Sequence, residues 1–182
     1  MRYPKEVVIK DGIEAVIRPA GKSDTTGLGE FYADLPPEDR WFMRYDVLDP
    51  QIIRSWMEDP EHIISMVALV EGAIVAHARL HMREAGCYHH MGRLRILVSP
   101  RYRSKRLGTW MLLDLIQLAM DKGLQELRAD FVMDKEQTAI ETAYKLDFFK
   151  KAILEEFIEG PDGKRHDLLI MTKRLHRNWG DF

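Results

Sequence analysis

The chain has 182 residues, of which 46% are hydrophobic and 31% charged, a size that suits one ordinary domain and a composition that excludes disorder throughout. Its 27 Lys and Arg against 29 Asp and Glu leave a formal charge of -2, so no global field recruits nucleic acid or a membrane surface, and any basic site is local. The single cysteine, Cys87, makes no internal disulfide, the start MRYPKEVVIK lacks a signal peptide's apolar stretch, and the apolar runs fall far short of the ~20 residues of a spanning helix; the expected location is the cytoplasm.

Residues 6–10 and 14–18 are short β-branched segments parted by Asp11-Gly12, which predicts a hairpin. Ser23 or Asp24 caps a helix running to about Leu35, where Pro36-Pro37 stops it, and residues 38–45 and 51–57 read as two further helical pieces. Residues 62–70, 74–83 and 87–98 are strand-like, separated by Glu71-Gly72 and Glu84-Ala85-Gly86, and predict an antiparallel meander. From residue 105 to 122 the period changes: Leu112, Leu115, Ile116 and Ala119 share one helical face and Gly123 closes the helix. Residues 126–132 form the next strand, which can run parallel to its predecessor because a helix intervenes. Asp134 caps a helix through Lys145, and strands at 150–158 and 165–173 flank Gly160-Pro161-Asp162-Gly163. With no repeat and no linker, residues 1–182 read as a single domain with a mixed α/β fold.

Residues 94–113, LRILVSPRYRSKRLGTWMLL, carry the chemistry. Between Glu84 and Asp114 there is no acidic residue, while Arg93, Arg95, Arg101, Arg103, Lys105 and Arg106 supply six cations. A strand that feeds a helix through such a loop sets free backbone N–H groups and the positive end of the helix dipole beside those cations, which makes an anion site for a phosphate-bearing ligand. Gly108 lets a backbone approach a phosphate without an intervening Cβ. The plainer alternatives are a solvated basic loop or a patch that touches nucleic-acid phosphates. Neither G-x-x-x-x-G-K-[ST] nor G-x-G-x-x-G after a strand is present, so P-loop and dinucleotide-binding readings fall away.

The run VSPRYRSKRLGT, residues 98–109, resembles the acetyl-CoA loop of the GNAT N-acetyltransferases, V-x-P-x-[YW]-[RQ]-x-x-G-[IL]-G. Ala139-Ile140 and Lys145-Leu146-Asp147-Phe148 are similar to that family's A-I-x-x-Y-x-K-x-G-F segment, and residues 163–168 add support near the end. The resemblance covers about residues 63–175 and implies a GNAT fold: a mixed, mostly antiparallel sheet with a splayed parallel pair, flanked by helices. It implies acetyl-CoA as co-substrate, with an acetyl-CoA core at about 62–175 and acceptor-side helices at about 22–58. Leu97 and Val98 would pair with the pantetheine arm, and Arg103, Ser104, Lys105, Arg106, Leu107, Gly108 and Thr109 would wrap the diphosphate.

Three positions depart from the family pattern. The middle glycine of the loop is Arg106. The strand position that often carries a glutamate base is Arg93, which accepts no proton at neutral pH. The tyrosine that commonly protonates the thiolate falls at Ala143, so Tyr144 takes that role only if the register slips by one. If the Glu84-Ala85-Gly86 turn pairs Arg83 with Cys87, then His77 faces Arg93 and His81 faces His89, which makes His77 or His89 the replacement base, with Asp134 and Glu136 close by. His81 with His89 lacks further ligands, so no metal is expected. Cys87 is expected as a packing residue in a strand, and the aromatics Tyr32, Trp41, Phe42 and Trp56 as core or groove lining.

The reading is an N-acetyltransferase acting on a primary amine. A protein lysine comes first, because residues 35–45 faintly resemble the corresponding helix of Pat-type lysine acetyltransferases; a small amine or amino acid comes second. The rivals are a non-catalytic acyl-CoA sensor, which Arg93 and Ala143 favour, and a nucleic-acid-binding domain. No nucleic acid and no membrane partner are expected. The tail 176–182 offers Trp179 and Phe182 for docking on a second copy as a homodimer.

Overall fold

The computed structural model describes residues 3–175. Strands β1 (Lys5–Val8), β2 (Glu14–Pro19), β3 (Ile63–Val70), β4 (Ala73–His81), β5 (Met91–Val98), β6 (Glu126–Val132), β7 (Phe149–Glu159) and β8 (Arg165–Arg174) form one sheet in the order β1-β2-β3-β4-β5-β6-β8-β7. Every neighbouring pair is antiparallel except β5 and β6, which the crossover helix α4 (Leu107–Asp121) joins in parallel.

Alternation along the strands divides the core. Ala76, Ala78 and Leu80 of β4 and Leu94 of β5 join Leu107, Met111, Leu112 and Leu115 of α4 in one apolar cluster, which also takes Ile140 and Ala143 of α5 (Gln137–Lys145). The opposite face packs Val67 and Leu97 against α1 (Thr25–Ala33) and α3 (Pro50–Glu58), through Leu28, Tyr32, Ile53 and Trp56. Between them lies the five-residue α2 (Pro37–Trp41). Two alanines in the middle of β4 leave room for α4 to lie close against the sheet.

The hairpin β1–β2, the three early helices, α4 and β6 fall where the sequence places them, with boundaries shifted by a few residues. The mixed α/β sheet with one parallel pair is the GNAT architecture that the resemblance implies. β5 differs: it starts at Met91, not at residue 87, and the connection 82–90 is long. The observed pairs are Ala76 with Val98, Ala78 with Ile96, Leu80 with Leu94 and His81 with Arg93. The shortest turn would set Leu80 against His90; the apolar match on the α4 face wins over turn length. A slip of four keeps each side chain on its face but carries His89 off the strand. Cys87 is therefore exposed in the connection, not packed in a strand. Asp134 does not cap α5, which begins at Gln137; its carboxylate meets His166 Nδ1 at 3.0 Å.

Among the described residues no helix is long and apolar enough to cross a membrane, and no group of three or more His, Cys, Asp or Glu side chains is set to hold a metal. The tail 176–182, with Trp179 and Phe182, lies outside the described residues.

Candidate active site

β5 and β6 pair only over Met91–Glu126, Gly92–Leu127 and Arg93–Arg128. Beyond Arg93 and Arg128 they part, and a cleft of ≈ 470 Å³ opens between them, walled by Leu94 to Val98 on one strand and Ala129 to Phe131 on the other. That volume is in the range of small-molecule sites. The facing backbone groups of two parted strands accept a peptide-like arm as another strand would.

The far end of the cleft is the loop from Ser99 into α4. Pro100–Tyr102 make a single 3-10 turn, Ser104 (φ 59) and Arg106 (φ 70) are left-handed, and Arg106 is the N-cap of α4. The left-handed region explains why glycine is the usual residue at the Arg106 position: any Cβ is strained there, by roughly 1–2 kcal/mol. The first bond across the helix start runs from Trp110 N to Arg106 O, so the amides of Leu107, Gly108 and Thr109, all on the cleft wall, sit in the turn whose N–H groups lack helical partners and where the dipole is positive. Arg103 braces the loop: its Nε donates to Val98 O at 3.0 Å and its Nη2 to Asp39 of α2 at 2.5 Å.

Of the residues expected to hold the co-substrate, Leu97, Val98, Arg103, Ser104, Arg106, Leu107, Gly108 and Thr109 line the cleft. Lys105 does not: its Nζ reaches Asp11 at 2.7 Å, over the β1–β2 turn.

The expected proton carriers fare differently. His77 pairs with Leu97, not Arg93; it is buried, with Nδ1 2.7 Å from Tyr32 Oη and Nε2 2.6 Å from Ser65 Oγ. Burial, then the Arg79 and His81 charges, hold its pKa well below the ordinary value. Both His77 nitrogens are bonded inside the core, and the residue does not line the cleft. His89 is exposed in the connection, bonded through Nδ1 to Gly86 O at 2.8 Å, at the end of β5 remote from the loop. Tyr144 is 47% exposed and off the cleft, while Ala143 is buried against the sheet; on α5 it is Gln137, Thr138, Ala139 and Thr142 that line the cleft. The 100° between successive helix positions turns Tyr144 to solvent.

Sequence reasoning named Arg95 and Glu136 without pairing them and missed Asp39 and Asp130; these four line the cleft, and Arg93 and Arg128 border it at the last paired row. Arg95 Nη1 meets Glu136 Oε1 at 2.9 Å, and Glu136 Oε2 accepts from Val132 N at 2.8 Å. Asp130, buried on β6, is clamped by Arg93 and Arg128, each at 2.6 Å. Alternation in β5 and β6 carries the signal for Arg93, Arg95, Arg128 and Asp130, which all share the α1–α3 face. Nothing local marks Asp39, which comes from 64 residues before Arg103.

The profile of the acetyltransferase (GNAT) family matches residues 29–148. The chain belongs to this family. Its reaction is acetyl transfer to an amine, with acetyl-CoA as donor. Among solved structures, a putative acetyltransferase from Salmonella typhimurium with its cofactor acetyl-CoA is 22% identical, with 92% of this chain and 98% of that one covered at a TM-score of 0.77. The GNAT domain of PAT from S. lividans is 19% identical, over 96% of this chain and all of that one (100%), at 0.77. A ribosomal-protein-alanine N-acetyltransferase from Brucella melitensis is 23% identical, over 87% and 99%, at 0.76. No curated protein matches the chain.

Proposed function

We propose that this GNAT enzyme holds the pantetheine arm of acetyl-CoA between the parted ends of β5 and β6, holds the diphosphate at residues 103–109, and acetylates a small primary amine that enters from the α1–α3 side. The observation that carries this is the end of the β5–β6 pairing at Arg93 and Arg128, which opens a cleft that runs to a helix N-terminus rich in cations. Charge-assisted bonds from arginine and helix amides are the strong way to hold a diphosphate.

The size of the acceptor follows from the far wall. Trp41 Nε1 donates to Glu159 O at 2.8 Å, and Phe42 packs edge-on against His166 at 5.6 Å. These contacts tie the end of α2 to the β7–β8 hairpin across the acceptor side, which narrows the approach and favours a small amine over a lysine presented by a folded protein.

Acetyl-CoA supplies an activated acetyl carbon. The amine lone pair bonds to that carbon, the C–S bond breaks, and the proton lost from nitrogen balances the one that the thiolate gains. The amine must first be neutral, and Arg79, Arg93, Arg95 and Arg128 on the adjoining strands supply a positive field that favours the neutral form. His81 reports that field: burial, then Arg79, Arg93 and Arg44, lower its pKa to about 4. Asp130 and Glu136 on the cleft wall orient the arginines. The backbone amides of the parted strands are the donors available to an oxyanion.

The test is amide hydrogen exchange with and without acetyl-CoA, paired with thiol release on adding primary amines. Protection at residues 94–98 and 107–109 with amine-dependent thiol release supports the reading; no protection there overturns it.

A further inference from the structure

We infer that the amine acceptor carries its own anionic group, a carboxylate or a phosphate, and that Arg93, with Arg95 and Arg128 beside it, receives that group. The inference rests on the acetyl-transfer reading of the cleft, whose wall includes Arg95 and which Arg93 and Arg128 border at the last paired row of β5 and β6.

The arginines stand in two rows across the sheet. His81 of β4, Arg93 of β5 and Arg128 of β6 are successive partners in one row; Arg79 and Arg95 are partners in the next, where the strands part and Asp130 follows on β6. All sit on the face that looks toward α1 and α3. Four guanidinium groups thus occupy three adjacent strands, and Arg44 adds a fifth charge that Arg93 and His81 both feel. The carboxylates among them are Asp130, shared by Arg93 and Arg128, and Glu136, taken by Arg95. The remaining polar groups packed here include Tyr32, Tyr45, Ser65, His77 and His81; Asp59, at the end of α3, acts weakly on His81.

Arg79 makes the excess plain. It is 3% exposed, its guanidinium lies 3.5 Å from the Trp56 ring centroid, and among the described residues its Nη1 has no hydrogen-bond partner and it makes no ion pair. Cation–π stacking offsets part of the cost of burying that charge but leaves its field uncompensated. Burial and the neighbouring cations lower the arginines' own proton affinity at Arg79 and Arg93. Such an array repels a second ammonium group and attracts an anion. Arg93, Arg95 and Arg128 keep 33%, 22% and 28% of their side chains open, enough for a planar fork to take two oxygens of a carboxylate or phosphate. Arg79, beside Arg95 on the neighbouring strand and covered by Trp56, strengthens the field without contact. The arrangement also links two needs, because the cations that bind the anion favour the neutral amine at the other end of the same small molecule.

The experiment compares kcat/KM for four amines of similar length: 3-aminopropanoate, 3-aminopropylphosphonate, 1-aminobutane and 1,4-diaminobutane. At least one anionic amine is expected to exceed 1-aminobutane by about tenfold or more, with the diamine poorest, as charge complementarity demands; the two anionic arms separate carboxylate from phosphate recognition. Arg93→Gln is expected to cut that preference at least fivefold or so, mainly through KM, with Arg93→Lys intermediate because it keeps charge but loses the fork. Arg79→Met, an apolar replacement of similar length, is expected to lower the preference while acetyl-CoA affinity by calorimetry stays unchanged. A neutral amine equal to or better than both anionic ones, or turnover of neither anionic amine, overturns the inference. If acetyl-CoA itself fails to bind, the acetyl-transfer reading falls; if it binds and neutral amines are preferred, only the anionic acceptor does.

Discussion

Arg103 and Asp39 meet at 2.5 Å on the wall of the cleft, joining the loop before α4 to α2. Both residues line the cleft, so a diphosphate bound as proposed competes with Asp39 for one guanidinium. Asp39→Asn is expected to tighten acetyl-CoA binding by a few fold, since a partly exposed ion pair is worth about 1 kcal/mol or less. Arg103→Ala is expected to weaken it. Calorimetric titration reads both, and looser binding by Asp39→Asn would mean that the carboxylate positions Arg103 without competing.

At Gly108 the fold itself leaves space: a Cβ there meets only Val98 Cγ2, at 3.6 Å. Gly108→Ala is therefore expected to keep the melting temperature. Gly108→Glu sets a carboxylate where phosphate should lie and is expected to weaken acetyl-CoA at least tenfold, about 1.4 kcal/mol. Unchanged affinity for the glutamate variant would move the diphosphate elsewhere.

Arg106, at φ 70, is strained by its backbone and offers a cation in return. Arg106→Gly is expected to raise unfolding free energy by up to about 1 kcal/mol as the left-handed strain is relieved, and to loosen acetyl-CoA because a guanidinium is lost from the cleft. Denaturant unfolding and calorimetry on the same variant measure the two opposing effects.

Acid stability has a definite sign. His77 and His81 hold pKa values below that of an unfolded histidine, so the unfolded chain binds more protons and stability falls as pH drops below about 6.5, by about 1.4 kcal/mol per pH unit for each fully titrating histidine. For His81 the loss runs down to a pKa of about 4. His62, raised chiefly by its hydrogen bond to Asp59, acts in the opposite direction but is largely exposed. Unfolding at pH 7 and pH 5 is expected to show a smaller difference for His81→Asn than for the parent protein; equal differences would dismiss this account.

His89→Ala is expected to leave kcat/KM unchanged, because the side chain stays in an exposed connection bonded to Gly86 O. A tenfold loss (about 1.4 kcal/mol) would bring the connection back to the reaction centre.

The loop and α4 were legible because two local signals coincide there: an acid-free basic run, and a change of period from strand to helix at Leu112, Leu115 and Ala119. The placement of His77 and His89 was not legible, for a non-local reason. Placing His77 and His89 required the β4–β5 register, which is set by Leu80 against Leu94 and Ala78 against Ile96 and not by the nearest turn-forming residues. The arginine face lay in plain view as alternate residues of β5, yet Arg93 stood out only as one of six cations and as a missing glutamate. Its meaning emerges once Arg79 and Arg128 flank it from strands far apart in the chain. The Arg103–Asp39 and Trp41–Glu159 contacts, spanning 64 and 118 residues, leave no local trace.

The parting of β5 from β6 gives the sheet two interior borders in addition to its outer ones at β1 and β7. A border of unpaired strand backbone is a template for other chains. Whatever occupies the cleft therefore shields a sticky seam as well as reacting there, and the empty enzyme should be the form more prone to self-association and clumping.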